Sequence, residues 1–237
     1  LAAARRRRIY VANVPDYGSE EVSDHALALL MSVARRVTQR DRDVRRGVWG
    51  VGHRQPIRSF RGRTLGIVGF GRIGRAFHRK ASALGFARTL VFDPYVKTPE
   101  PGIELVSIDD LCREADAISL HVPLTEETRR LINADRFSLM KPGVILVNTA
   151  RGGVVDEQAL VEALRSGRIA GAGIDVFEQE PVPLDHPLLG FENVVVTDHT
   201  GWYSEESVTE LQTKATQEVV RVFRGERPHS WVNRWED

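Results

Sequence analysis

The chain carries one cysteine, Cys112, in 237 residues. A lone thiol excludes an internal disulfide framework and suits a reducing, cytoplasmic setting. It lies in "IDDLCREAD", read as a short helix, where a small packed side chain outweighs a nucleophile. No CxxC pair or HExxH spacing occurs, so no metal site is expected. The longest apolar runs fall short of eighteen residues, which argues against a membrane-spanning helix. No apolar stretch follows the basic start "LAAARRRRIY", so it does not read as a signal peptide. Internal repeats and low-complexity segments are also missing. Lysine is absent from residues 1–63, where fourteen arginines face six acids. With a net charge of +1, the rest of the chain must be acidic. The run Arg5 to Arg8 could meet nucleic acid. It has neither interleaved aromatics nor a helix-turn-helix or zinc-finger spacing, so arginines on solvated helix faces are the simpler reading and nucleic acid is not an expected partner.

An apolar content of 42% with 27% charge is that of a globular protein able to bury a sizeable core. Residues 9–14 read as a short strand. A long helix is expected over about 19–46, with Val22, Ala26, Leu29, Leu30, Val33 and Val37 as its apolar stripe. Residues 47–63 hold Gly47, Gly50, Gly52, Pro56 and Gly62 and read as a connecting loop. From Leu65 onward strands and helices alternate. Strands are expected at 65–69, 88–93, 117–121, 144–148, 170–175 and 193–197. Helices are expected at 72–84, 107–114, 134–140, 156–166 and 203–224. This order predicts an α/β fold, a doubly wound parallel sheet with helices on both faces. Ligands of such sheets bind outside the carboxyl ends of the strands. The chemically useful residues fall there: Gly69 and Gly71, Asp93, His121, Thr149 to Arg151, Asp175, and Asp198 with His199.

The stretch "TLGIVGFGRIGRAF" places Gly69-x-Gly71-x-x-Gly74 directly after a strand and at the start of a helix. Asp93 ends the next strand, nineteen residues beyond Gly74. This is a dinucleotide fingerprint in its full context. Gly69 allows the tight turn, Gly71 lets a pyrophosphate approach the backbone, and Gly74 lets helix and strand pack closely. The helix N-terminus offers free N–H groups. Asp93 can accept hydrogen bonds from both ribose hydroxyls and would repel a 2′-phosphate, which favours NAD, although Lys97 is near in sequence. Three later stretches, "ILVNTARGGVVDE", "GAGIDVFEQEP" and "VVVTDHTGWYSEES", add a guanidinium, a carboxylate and an imidazole at strand ends. A histidine paired with a carboxylate can hand a proton to a forming alkoxide. An arginine can grip a substrate carboxylate in a fork. Residues alone do not separate Glu180 from Glu178, nor His199 from His121. His25, on the long helix, reads as packing or surface.

These stretches, with "HVPLTEET", "FDPY" and "NVPDYGSEEVSDHALAL", make the chain similar to the D-isomer-specific 2-hydroxyacid dehydrogenases over nearly its whole length. The segment "HTGWYSEES" leans toward the branch holding the C-terminal-binding-protein corepressors. The resemblance implies a Rossmann-type NAD-binding domain and interconversion of a 2-oxo acid with a D-2-hydroxy acid. It implies that His199 gives or takes the C2 hydroxyl proton, that Glu180 favours its protonated form, and that Arg151 binds the substrate. Asp175 would hold the nicotinamide carboxamide. Cofactor contacts would fall on Gly69, Gly71, Arg72, Ile73, Gly74, Asp93, Val122, Pro123, Thr128, Thr149, Ala150, Arg151, Asp175, His199 and Gly201. Trp202 is either a substrate wall or core. A homodimer through helix 19–46 is implied. The alternative is an NAD(H)-sensing interaction protein like the corepressors.

Two departures stand out. The family's proline before the catalytic histidine is Asp198 here. The family's substrate lobe also begins well upstream of the nucleotide domain, whereas residues 1–14 resemble only its last part. The expected division is therefore a lobe remnant at 1–14, an NAD-binding domain at 15–202 with its core at 64–202, and a returning helix at 203–237. Dinucleotide binding should survive in such a chain, with turnover impaired.

Overall fold

The computed structural model describes residues 1–50 and 57–235. Two compact units form: Val22–Gly201, and Leu1–Glu21 together with the chain from Trp202 onward.

The larger unit is a seven-stranded parallel sheet in the order β3-β2-β1-β4-β5-β6-β7. Its strands are β1 (Thr64–Val68), β2 (Arg88–Phe92), β3 (Glu104–Leu105), β4 (Ala117–Leu120), β5 (Val144–Asn148), β6 (Ile169–Ile174) and β7 (Val194–Val196). The α-helices of the chain are α1 (Ala2–Arg6), α2 (Ser19–Arg35), α3 (Val37–Arg45), α4 (Arg72–Ala81), α5 (Ile108–Glu114), α6 (Ala134–Leu139), α7 (Glu157–Arg165) and α8 (Glu205–Phe223). β1 is wholly buried because helices cover both of its faces. Leu65 and Ile67 join a core with Leu29 and Leu30 of α2 and Phe77 of α4. Val68 faces the other way, into a core with Leu111, Ile118 and Leu146. This is the alternation a strand imposes on its side chains.

α2 is held against β6 by two missing side chains. A Cβ on Gly171 would lie 2.7 Å from Val33, and one on Gly173 would lie 2.8 Å from Leu29. The helix therefore descends the strand in steps of four residues against two. Four helical residues rise about 6 Å and two strand residues about 6.6 Å, so the steps stay matched. The next step up pairs His25 with Asp175. Each buried leucine or valine of this face contributes about 2 kcal/mol.

The helix expected over 19–46 is broken. Arg36 adopts a left-handed conformation, φ 54°, and separates α2 from α3. The apolar face of α2 ends at Ala34, and α3 has no buried residue to hold it in line. Val37, expected in the stripe, is exposed. The strand expected over 9–14 is reduced to one antiparallel bridge, Ala12 to Trp231. The two-residue β3 was not expected, and the helix over 72–84 tightens into a 3-10 turn at Ser82–Leu84. Part of the loop expected over 47–63, including Gly52 and Pro56, lies outside the described residues.

In the smaller unit, Asn233 ties the two chain segments together by accepting from the Val11 amide and donating to the Ile9 carbonyl, both at 2.9 Å. Tyr10 packs on Trp231 and Trp235. α8 buries only Ser207, and Phe223 on it is 87% exposed. No helix among the described residues is long and apolar enough to cross a membrane.

Candidate active site

Gly69 follows β1 at φ 91°, a conformation that other residues adopt only at a cost. Its amide donates to the Phe92 carbonyl at 2.8 Å, and a Cβ would lie 2.7 Å from the His121 carbonyl oxygen. The turn thus sits between the ends of β2 and β4, where the strand order reverses. Crevices of this kind receive dinucleotides. A Cβ on Gly74 would overlap the Gly69 carbonyl, so this glycine is needed for packing. Gly71 differs: nothing lies within 4 Å of its Cβ position. It is the N-cap of α4 without a capping side chain, and no acid occupies the first turn. The helix N-terminus is left open to an anion.

Asp93 closes the turn from the side. Its Oδ2 accepts from the Phe70 amide and its Oδ1 from the Tyr95 amide, each at 2.8 Å. Each oxygen keeps a further acceptor position. The Lys97 ammonium is turned back onto the Pro94 carbonyl at 2.6 Å. Thr128 Oγ1 donates to the Pro123 carbonyl at 2.6 Å and so braces the 122–128 segment. Arg72 and Ile73 open α4, and Val122 packs against the Gly69 turn. Thr149 is buried, and its Oγ1 has no hydrogen-bond partner. An open helix N-terminus, a carboxylate at the end of β2 and an unpaired buried hydroxyl together fit a dinucleotide.

The ends of β5, β6 and β7 are zipped together past their last ladder residues. The Asp175 amide donates to the Asn148 carbonyl at 3.0 Å, and the His199 amide to the Asp175 carbonyl at 2.9 Å. Asn148 also shapes the next turn, accepting from the Ala150 amide and donating to the Arg151 carbonyl, both at 3.0 Å. Arg151 is exposed there, with its guanidinium donating to the Ala150 carbonyl at 2.6 Å. A Cβ on the following Gly152 would collide with the Phe177 carbonyl, so this turn presses on the 177–178 backbone.

That backbone leads to the acid. The Phe177 amide donates to Glu180 Oε1 at 3.0 Å, and Glu180 Oε2 lies 2.6 Å from His199 Nδ1. Burial would raise the Glu180 carboxyl, but hydrogen bonds from His199 and the Phe177 amide outweigh it and hold it below the usual carboxylate range. Glu178 is elsewhere, 3.7 Å from Arg130. His199 stands in the left-handed region at φ 59°. A cavity of about 600 Å³ opens beside the pair, lined by Asp175, Phe177, Pro181, Val196 and Asp198 among others.

His121 is a different case. Its Nδ1 is shielded from solvent without a partner, and Nε2 is 2.9 Å from Ser119 Oγ. Burial pushes its imidazole down to about 3, so it stays uncharged at neutral pH. Burial likewise pushes the Cys112 thiol up to about 12.

Asp175 is 2% exposed. Burial would raise its carboxyl, but the neighbouring His25 imidazole, with hydrogen bonds from Thr197 and the Gly201 amide, prevails and brings it to about 2. His25 and Thr197 were not expected to belong here. Their signal is absent from sequence, since they lie 172 positions apart and meet only through the packing of α2 on β6. Trp202 belongs to the smaller unit, where its ring packs against Tyr17 and Tyr203.

Fold and site together define a dinucleotide-dependent oxidoreductase built on a Rossmann-type domain. A family model described as "D-isomer specific 2-hydroxyacid dehydrogenase, NAD binding domain" matches residues 27–201, and the chain belongs to that family. A glyoxylate reductase from Korarchaeum cryptofilum is 47% identical over 236 residues, covering 97% of this chain and 71% of that protein. A D-3-phosphoglycerate dehydrogenase from Methanocaldococcus jannaschii is 41% identical, over 98% of this chain but only 45% of its own length. The crystal structure of D-lactate dehydrogenase with NAD+ from Lactobacillus jensenii is similar with a TM-score of 0.88 at 30% identity, covering 98% of this chain and 74% of that one. The chain is thus an NAD-dependent oxidoreductase of the 2-hydroxyacid class, and nothing in these relatives favours the corepressor alternative.

Proposed function

We propose that the chain reduces a small 2-oxo acid to the D-2-hydroxy acid, with Arg151, Glu180 and His199 as its catalytic residues. The observation that carries this reading is the 2.6 Å contact of His199 Nδ1 with Glu180 Oε2, beside a cavity at the sheet edge. With Nδ1 engaged, Nε2 is the nitrogen left to give a proton to the C2 oxygen. Glu180 fixes the ring through its contact with Nδ1. The Arg151 fork takes the substrate carboxylate. NADH, when bound, supplies the hydride to C2. Gly71 with the α4 N-terminus would hold its pyrophosphate, Asp93 its adenosine ribose, and Asp175 its carboxamide. The chain would divide at 1–14, 15–202 and 203–237.

A homodimer fits the exposed apolar side chains of the second half of the long-helix region, Val37 and Val44 on α3 and Trp49 beyond it. A cytoplasmic setting fits the single buried thiol. The test is NADH consumption with a panel of 2-oxo acids, for this chain and its His199→Gln variant. Turnover that disappears in His199→Gln supports the reading. Turnover unchanged by His199→Gln overturns it.

A further inference from the structure

We propose that His25 is a positioning residue for the nicotinamide end of the site, acting through Thr197 on Asp175. The proposal rests on the reading of Asp175 as the acceptor of the nicotinamide carboxamide. Thr197 Oγ1 lies 2.6 Å from Asp175 Oδ1 and 2.9 Å from His25 Nε2. A hydroxyl has one proton, and an ionised carboxylate only accepts. The Thr197 proton therefore goes to Asp175, Thr197 accepts in turn, and His25 must carry a proton on Nε2. The relay has one direction, from His25 to Thr197 to Asp175.

The consequence falls on the two carboxylate oxygens. Oδ1 receives Thr197 Oγ1 and the Thr200 amide at 3.2 Å, and His25 Nε2 lies 3.4 Å from it. Oδ2 receives the Gly201 amide at 3.1 Å. The relay thus loads one oxygen and leaves an acceptor position on the other. Gly201 keeps the arrangement tight, because a Cβ there would be 2.8 Å from Asp175 Oδ2 and 3.2 Å from His25 Cδ2. Packing alone does not call for an imidazole at this place. The same face of α2 continues with Ala26, Leu29, Leu30 and Val33, all apolar. It turns polar opposite Asp175, the one carboxylate among the buried described residues.

The experiment measures binding of NADH and of ADP-ribose, which lacks the nicotinamide, to the full chain and its variants. His25→Leu should weaken NADH about tenfold and ADP-ribose less than about twofold, the scale of one lost buried hydrogen bond. Thr197→Val should do the same, and the double variant should be no worse than either, since both cut one relay. His25→Gln, whose amide N–H can reach Thr197, and Thr197→Ser should retain NADH affinity. Equal loss for both ligands in His25→Leu and Thr197→Val, or additive losses in the double variant, would assign His25 to packing and overturn the relay. So would unchanged NADH affinity in His25→Leu when Asp175→Asn weakens it. If Asp175→Asn itself leaves NADH binding intact, the reading of Asp175 fails first and the relay with it.

Discussion

The turn after β1 and the turn after β7 share one edge of the sheet, yet they are made in opposite ways. The first works through bare backbone: Gly71 has open space where a side chain would be, and Gly74 has none to spare. The carboxylate beside it, Asp93 at the end of β2, is shared between the turn's Phe70 amide and the Tyr95 amide. The second works through side chains brought from two strand ends, with Glu180, His199 and Asp175 each fixed by backbone donors or a neighbouring ring. Binding a diphosphate needs an exposed helix terminus, which local sequence can supply. Proton transfer needs two groups at hydrogen-bond distance, which only the tertiary fold supplies.

The strongest way to break this contrast is at the histidine turn. His199→Gln should lower kcat for a 2-oxo acid by about 10²–10⁴, far more than it weakens NADH binding, because a general acid acts in the transition state. Steady-state rates alongside NADH titration check this. At the glycine turn, position should decide the kind of damage. Gly74→Ala should destabilise by about 1–3 kcal/mol through overpacking, read by urea melts. Gly71→Val should cost no more than about 1 kcal/mol in the melt, as a poorer N-cap, and weaken NADH binding by covering the helix terminus with a branched side chain.

A subtler separation uses acid. The Asp175 carboxyl is lowered to about 2 in the fold, so its stabilisation is complete above its unfolded value near pH 4 and fades as pH falls toward 2. This amounts to about 2 kcal/mol, a contribution that Asp175→Asn should lack. Urea melts of both proteins between pH 2 and 5 should converge as the pH drops. The smallest effect is expected at Asp198, an exposed residue that accepts from Thr200 Oγ1 at 2.8 Å. Asp198→Asn should change stability by less than about 0.5 kcal/mol in the same assay.

The parallel sheet and the glycine turn were legible because their signals are local: apolar runs of strand length, then glycines at fixed spacing, then an acid. What failed to show was set by partners far along the chain. Nothing in "SVARRVTQR" marks a stop, since it has no glycine or proline, yet the helix breaks at Arg36 where its buried face ends. β3 has only two residues, too few for a period. Glu180 and Glu178 are equivalent in sequence, and only the path of the chain past Phe177 puts the former on His199. His25 was invisible for the same reason: its meaning comes from Gly171 and Gly173, which let α2 down onto β6.

His199 sits at φ 59°, where a side chain with a β-carbon is disfavoured by about 1–2 kcal/mol relative to ordinary backbone. A glycine there would relieve that penalty and make a sturdier but inert turn. The imidazole is thus kept against the local preference of the chain, and a screen that rewards heat resistance alone would tend to discard it.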